Sequence, residues 1–207
     1  MLNKEDVREA LQQKHVIYDK AGDYHYDVIS AYIKSVRGSD PDAAIYWLAI
    51  MIEGGEKPEF IARRLIILAS EDIGTANPQA LVIAVAAMEA FRAIGLPEGR
   101  IPLAEATVYL ASSPKSNAAY IALSEATKDA KETSHYEIPL HLRNAVTRLM
   151  RDEGYGKDYR YSHDYESHFT EQEYLPGSLK NRRYYQPTEE GAEKEIQERL
   201  KHWWGES

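Results

Sequence analysis

Residues 77–95 read NPQALVIAVAAMEAFRAIG. The Asn-Pro pair is typical of a helix start and Gly95 of a helix end, which predicts a helix over residues 79–94. A helix that is apolar on nearly every face is normally buried. We therefore expect this helix at the centre of a bundle, the position we favour, or in an interface between subunits. Its apolar residues are Leu81, Val82, Ile83, Val85, Met88, Phe91 and Ile94.

Helical periodicity continues on both sides of this stretch. Another predicted helix ends at Gly54-Gly55. Asp40 is its predicted N-cap and Pro41 its first helical residue. Thr188 is the predicted cap of a last, polar helix that extends to residue 204. The other predicted helices cover residues 4–14, 24–36, 58–74, 96–111, 113–130 and 139–154.

The amino-acid composition and the hydrophobic pattern change after residue 154. Residues 155–185 contain seven of the 15 tyrosines and no sustained apolar stripe. Tyrosine suits a segment that packs its ring and keeps its hydroxyl wet, so we expect these rings to lie on the helical body. The predicted fold class is all-α, a multi-helix bundle with an irregular Tyr-rich C-terminal arm.

Composition excludes several classes of function. The chain has 207 residues, a formal net charge of -8 and no cysteine. Disulfides, zinc-thiolate sites and thiol catalysis are therefore excluded, and only a local basic patch could attract nucleic acid. The first fifteen residues have no apolar signal-peptide core, and the run ALVIAVAAMEAF is too short to cross a bilayer. We expect a cytoplasmic protein without membrane contact.

No phosphate-binding motif of the Walker type is present, because the only Gly-Lys pair, Gly156-Lys157, is followed by an aspartate. A weaker candidate is RGSDPD, residues 37–42, where a helix N-terminus could attract an anion. Asp40 and Asp42 occupy that terminus themselves. The two interpretations are a capped turn with Arg37 paired to a carboxylate, and a phosphate contact by Arg37.

Two segments contain histidine and aspartate together. They are DKAGDYHYD, with Asp19, Asp23, His25 and Asp27, and SHDYESH, with His163, Asp164 and His168. The first lacks the glycine and closing glutamate of a calcium loop. In the second, a spacing of five would put the two histidine rings on different faces of a helix. We predict no metal, cofactor or catalytic residue, and keep a metal-dependent hydrolase as an alternative.

Dense basic spots occur at two places. They are Arg63-Arg64 and the segment KNRRYY, which contains Lys180, Arg182 and Arg183 beside two tyrosines. Cations next to aromatic rings are typical of single-strand binding, so a single-stranded nucleic-acid-binding module that uses this basic-aromatic arm is the alternative function. Pairing with nearby acids such as Glu189 and Glu190 is the competing interpretation.

Longer strings resemble one family in order. They are residues 18–49 (YDKAGDYHYDVISAYIKSVRGSDPDAAIYWLA), FIARRLIILASEDIG, GLPEGRIPLAEATVYLASSPKSN, PLHLRNA, YRYSHDY, EYLPGSL and YYQPTEEG. The resemblance covers nearly the whole chain. It is to the C-terminal region of the replication-associated recombination protein A family (RarA or MgsA), AAA+ ATPases related to clamp loaders and to Werner-helicase-interacting protein.

The resemblance implies a non-catalytic chain. Residues 1–20 would be the tail of the lid region, 21–154 a helical oligomerisation domain, and 155–207 the arm and terminal helix packed on that domain. The parent would be a DNA-dependent ATPase, a homotetramer acting at stalled forks in DNA replication, recombination and repair, with ATP and Mg bound only in the missing ATPase module. Implied partners are a second copy, the ATPase module in cis, DNA and single-strand-binding protein, in a nucleoid-associated location. The candidate DNA or partner contacts are Arg37, Arg63, Arg64, Lys180, Arg182 and Arg183.

Overall fold

The computed structural model describes residues 23–132 and 137–205, and its regular structure there is helical, with no β-strand. The prediction of an all-α fold is confirmed. The predicted helix at residues 4–14 lies outside the described residues. The described chain forms two compact units, and it passes from the first to the second after Asn117 and again around residues 190–192. The predicted domain boundaries at residues 20 and 154 stay predictions.

The first unit contains residues 23–117 and 190–192. Its α-helices are α1 (Asp23–Arg37), α2 (Pro41–Glu53), α3 (Pro58–Leu68), α4 (Gln79–Ile94) and α5 (Arg100–Ser112). A π-helical turn, Ala69–Ile73, and a 3-10 turn, Gly74–Ala76, extend α3 towards α4. α1 packs against α2, and α5 contacts each of the other four α-helices.

α5 is therefore the centre of this unit. Leu103, Ala106, Thr107 and Leu110 on α5 are fully buried. The expectation that the helix over residues 79–94 would be central is wrong. α4 buries mainly its small residues, Ala80, Ala84 and Ala87, together with Phe91. Small side chains let α4 approach its neighbours closely on one side, while Leu81, Val82 and Val85 stay exposed.

The start of α2 follows its sequence pattern. Asp40 is in an extended conformation, its carboxylate accepts a hydrogen bond from the backbone N–H of Ala43 at 2.9 Å, and Pro41 opens the helix. An N-cap aspartate satisfies one of the donors that a helix start leaves free. The predicted cap at Asp40 is confirmed.

The second unit contains residues 118–132, 137–189 and 193–205. Its α-helices are α6 (Ala118–Glu132), α7 (Arg148–Asp152) and α8 (Glu193–Trp204). Between α7 and α8 the backbone forms only 3-10 turns, at Ser162–Asp164, Glu166–His168 and Gly177–Leu179. The prediction of an irregular arm over residues 155–185 is confirmed.

Three local predictions fail in this unit. The predicted helix over residues 139–154 is reduced to the 3-10 turn Leu140–Leu142 and the five-residue α7, because no described residue of this stretch is buried and a short helix needs a packed face. Thr188 does not cap α8, which begins at Glu193. Finally, four arm tyrosines keep more than two fifths of their surface exposed, so their rings are not packed away; they are Tyr159, Tyr161, Tyr165 and Tyr174.

Candidate functional site

One apolar feature of the first unit is the outward face of α4 and α5. We use this name for six half-exposed residues on two helices that pack against each other: Leu81, Val82, Val85, Ile94, Ile101 and Val108. Val82 and Ile101 are the most exposed, at 61% and 63%. Exposed apolar side chains on neighbouring helices make this face a candidate interaction site.

The charges on these two helices cancel. Glu89 and Arg92, the charged residues of α4, form an ion pair with each other at 2.6 Å. α5 has one basic and one acidic residue, Arg100 and Glu105. The outward face therefore adds no net charge to a chain whose total is -8.

Arg37 is paired with carboxylates. At the end of α1 its guanidinium donates to Asp72 in the π-helical turn, with an Nη2–Oδ2 distance of 3.3 Å, and lies 3.5 Å from Glu71. The hydrogen bond to Asp72 raises the pKa of Arg37 further, so its charge is permanent. Of the two interpretations of Arg37, the structure supports the ion pair, which ties α1 to the end of α3.

Arg63 and Arg64 lie on α3 beside an aromatic ring. Their guanidinium carbons are 5.8 Å and 5.0 Å from the ring centroid of Phe60. These contacts are within the range of cation–π attraction. Both arginines thus have a structural contact within their own helix, and their role in binding DNA or a partner stays a prediction.

Lys180 and Arg182 in the second unit are matched by acids, but not by Glu189 and Glu190. Lys180 lies 3.6 Å from Glu173. Arg182 donates to Asp129 at 2.9 Å and to Glu125 at 3.0 Å, both on α6. A hydrogen bond from Tyr184 and the Arg182 guanidinium lower the pKa of the Asp129 carboxyl, so this pair remains charged at neutral pH.

Arg183 differs from its neighbour. Its guanidinium lies over the ring of Trp204, 5.7 Å from the centroid, and makes no ion pair with any residue in the part of the chain that the structure describes. Arg183 and Trp204 line a groove of about 770 Å³ between the segment 182–187 and α8. Lys201 lines the same groove, and none of its lining residues within the described chain is a carboxylate.

A buried carboxylate holds the two sides of this groove in place. Glu193, the first residue of α8, is fully buried and accepts hydrogen bonds from the hydroxyl of Tyr185 at 3.2 Å and the hydroxyl of Thr188 at 2.8 Å. It also accepts from the backbone N–H of Thr188 at 2.6 Å. A buried carboxylate is stable only when its acceptor sites are filled in this way.

Among the described residues, the histidine segments bring no set of metal ligands together, and Asp19 of the first segment lies outside those residues. His25 pairs with Glu56 at 2.9 Å. The rings of His163 and His168 lie 5.0 Å apart, contrary to the expected separation, because two 3-10 turns replace a continuous helix there. Within residues 23–132 and 137–205, no three His, Asp or Glu side chains come together as metal ligands, and no helix is long and apolar enough to cross a membrane.

Sequence reasoning missed Lys201 and Trp204 as groove residues. A signal for them was present in the spacing of α8, since residues 197, 200, 201 and 204 lie on one helical face. The pairing of that face with the segment 182–187 had no such signal, because it depends on the contact of Glu193 with Tyr185 and Thr188.

Comparisons with known proteins agree along the whole chain. The family model described as the MgsA AAA+ ATPase C terminal matches residues 38–204, and the model described as an AAA C-terminal domain matches residues 1–37. A Replication-associated recombination protein A from Coxiella burnetii is 51% identical over 187 residues, which are 90% of this chain and 42% of that protein.

Similar relatives come from distant organisms. A protein of the same name from Escherichia coli is 46% identical over 97% of this chain and 45% of its own length. The ATPase WRNIP1 of Dictyostelium discoideum is 42% identical over 90% of this chain and 21% of its own length. This chain thus spans less than half the length of these relatives. The resemblance is confirmed, and the chain belongs to the MgsA (RarA) family of AAA+ ATPases, to whose C-terminal region it corresponds.

Proposed function

We propose that this chain is the oligomerisation domain of a clamp-loader-like AAA+ ATPase that acts at stalled forks in DNA replication, recombination and repair. It holds four ATPase modules in a homotetramer, so that movement driven by ATP acts on one DNA junction. ATP and Mg bind in the ATPase module of the whole protein. DNA and single-strand-binding protein are partners of the whole protein, in the nucleoid of the cytoplasm.

The outward face of α4 and α5 carries this proposal. α4 turns its alanines to the core and Leu81, Val82 and Val85 to solvent, an arrangement that disfavours an isolated monomer. Covering a half-exposed Val, Leu or Ile stabilises an assembly by about 1 kcal/mol. Six such residues on adjacent helices supply the apolar centre that an interface between subunits requires.

A second copy of the chain is the occupant that the charges favour. Two proteins of net charge -8 repel each other, and a neutral contact surface adds nothing to that repulsion. The Glu89–Arg92 ion pair makes the exposed side of α4 neutral. A basic or acidic partner would instead be matched by a face that carries a net charge of the opposite sign.

The test is the absolute mass of the chain by light scattering behind size exclusion, at two protein concentrations. We expect a tetramer for the unmodified chain and a smaller species for Val82→Glu. The control is Val146→Glu, the same change at a position that is 79% exposed in the second unit, which should leave the mass unchanged.

Each negative result has its own meaning. A monomer of the unmodified chain at both concentrations would contradict the assembly role. A tetramer that survives Val82→Glu would leave the assembly in place and exclude the outward face of α4 and α5 as its interface.

A further inference from the structure

The groove between the segment 182–187 and α8 combines three cations with three aromatic rings. The cations are Arg182, Arg183 and Lys201, and the rings are Tyr184, Tyr185 and Trp204. Its volume of about 770 Å³ lies within the usual range of ligand pockets, roughly 300–1,000 Å³. A local basic groove on an acidic chain favours an anionic ligand.

The aromatic rings are held in fixed positions. The hydroxyl of Tyr184 donates to Asp129 at 2.9 Å, and the hydroxyl of Tyr185 donates to Glu193 at 3.2 Å. The ring of Phe169 packs against Trp204 at 83°, with ring centroids 5.1 Å apart. A ligand that stacks in this groove would therefore meet rings that lose little freedom on binding.

The cations of the groove are not equivalent. Arg182 is matched by Asp129 and Glu125, so its charge is already balanced. Arg183 and Lys201 form no ion pair with any residue among those the structure describes. These two are the charges available to a ligand, and they lie on opposite sides of the groove, one before and one within α8.

We propose that this groove binds single-stranded nucleic acid, with a base taking the place of the Arg183 guanidinium on Trp204, and the neighbouring phosphates on Arg183 and Lys201. Base stacking on an aromatic ring together with backbone phosphates on cations is the usual chemistry of single-strand recognition. A duplex fits this groove poorly, because its bases are already stacked on each other. An acidic peptide would use the cations and leave the rings without a planar partner. The site shares no residue with the outward face of α4 and α5, and the proposal does not depend on the oligomeric state.

The experiment is a fluorescence anisotropy titration of a labelled oligothymidylate of about 16 nucleotides with the whole chain, at about 50 and 200 mM salt. We expect affinity to fall with salt. Arg183→Gln and Lys201→Gln should each reduce the slope of log affinity against log salt by about 0.7, the value for one phosphate contact on a single strand. Trp204→Leu should weaken binding at least about fivefold at both salt concentrations.

Lys194→Gln is the matched control. Lys194 is exposed on α8, carries the same charge as Lys201 and does not line the groove, so its loss should leave the slope unchanged. An unchanged urea midpoint for each glutamine variant shows that the second unit remains folded. An abasic strand of the same length should bind less tightly than oligothymidylate, since it retains phosphates and lacks bases.

Four results would overturn the proposal. They are no salt-sensitive binding by the unmodified chain, equal binding by Lys201→Gln and Lys194→Gln, equal affinity for the abasic strand, and displacement of the oligonucleotide by polyglutamate of equal charge at equal concentration. The last result would make the groove a general anion site. Since each of these measurements reports binding per protomer, none of the results bears on the tetramer.

Discussion

Tyr32 on α1 and Thr107 on α5 form a buried hydrogen bond whose removal has a calculable cost. Both side chains are fully buried, and their oxygens are 2.8 Å apart. The Thr107 hydroxyl donates to the carbonyl of Leu103, also at 2.8 Å, so Tyr32 donates to Thr107. Tyr32 lies in the segment matched as an AAA C-terminal domain, and Thr107 lies in the MgsA-matched segment. The bond thus joins the two matched segments.

The two single changes should differ in cost. Tyr32→Phe removes a donor and leaves no donor unsatisfied, so it should lower the free energy of unfolding by about 1 kcal/mol. Thr107→Val leaves the Tyr32 hydroxyl buried without its acceptor and should cost more, about 1–3 kcal/mol. The double variant should cost about as much as Thr107→Val or less, and not the sum of the two.

Urea unfolding of the four proteins measures this cycle. The pH dependence gives a second readout, because burial raises the pKa of Tyr32 above its ordinary value of 10.0. A group whose pKa is raised by folding contributes stability that is present below the unfolded pKa and lost as pH rises above it. Tyr32→Phe should therefore remove part of the loss of stability above pH 10. Additive costs, with Thr107→Val no worse than Tyr32→Phe, would refute the buried bond.

Three further changes test single contacts. Asp40→Ala should lower the free energy of unfolding by about 1 kcal/mol in urea, and no loss would remove Asp40 from its capping role. Gly191→Ala should cost about 1–3 kcal/mol, since φ is +52° and a Cβ would clash with a backbone carbonyl oxygen, whereas Gly205→Ala, with open space around it, should cost less. A hydrogen bond from Tyr184 lowers the pKa of Asp129, so its stabilising effect is present above the ordinary carboxyl pKa and lost as pH falls through the lowered one. Asp129→Asn should therefore reduce the fall of the urea unfolding midpoint at acid pH. An unchanged fall would contradict the ion pair between Asp129 and Arg182.

Local rules were sufficient where a few neighbouring residues determine the structure. The cap at Asp40 and the Pro41 start of α2 follow from side-chain hydrogen bonding within three residues. The irregular arm follows from the lack of any apolar stripe. The predicted helix over residues 139–154 fails for the complementary reason, since its local propensity has no packed face to support it.

Contacts between distant residues were beyond those rules. Arg37 was expected to have a carboxylate partner, but a partner 35 residues away in a π-helical turn has no local signal. The same holds for Arg182, whose partners are on α6, more than 50 residues upstream. Only the folded chain separates the balanced Arg182 from the available Arg183.

The sequence by itself determined that the protein is all-α, where most of its helices begin and end, and to which family it belongs. Helical periodicity, capping residues and the long strings shared with the family can all be read from the linear sequence. The tertiary structure alone decided which face of each helix is buried. Residues 79–94 are apolar on nearly every side, so their sequence allows several faces to turn inward. Packing density settled the matter, because the alanine face of α4 fits closely against α5 and leaves Val82 and its neighbours outside.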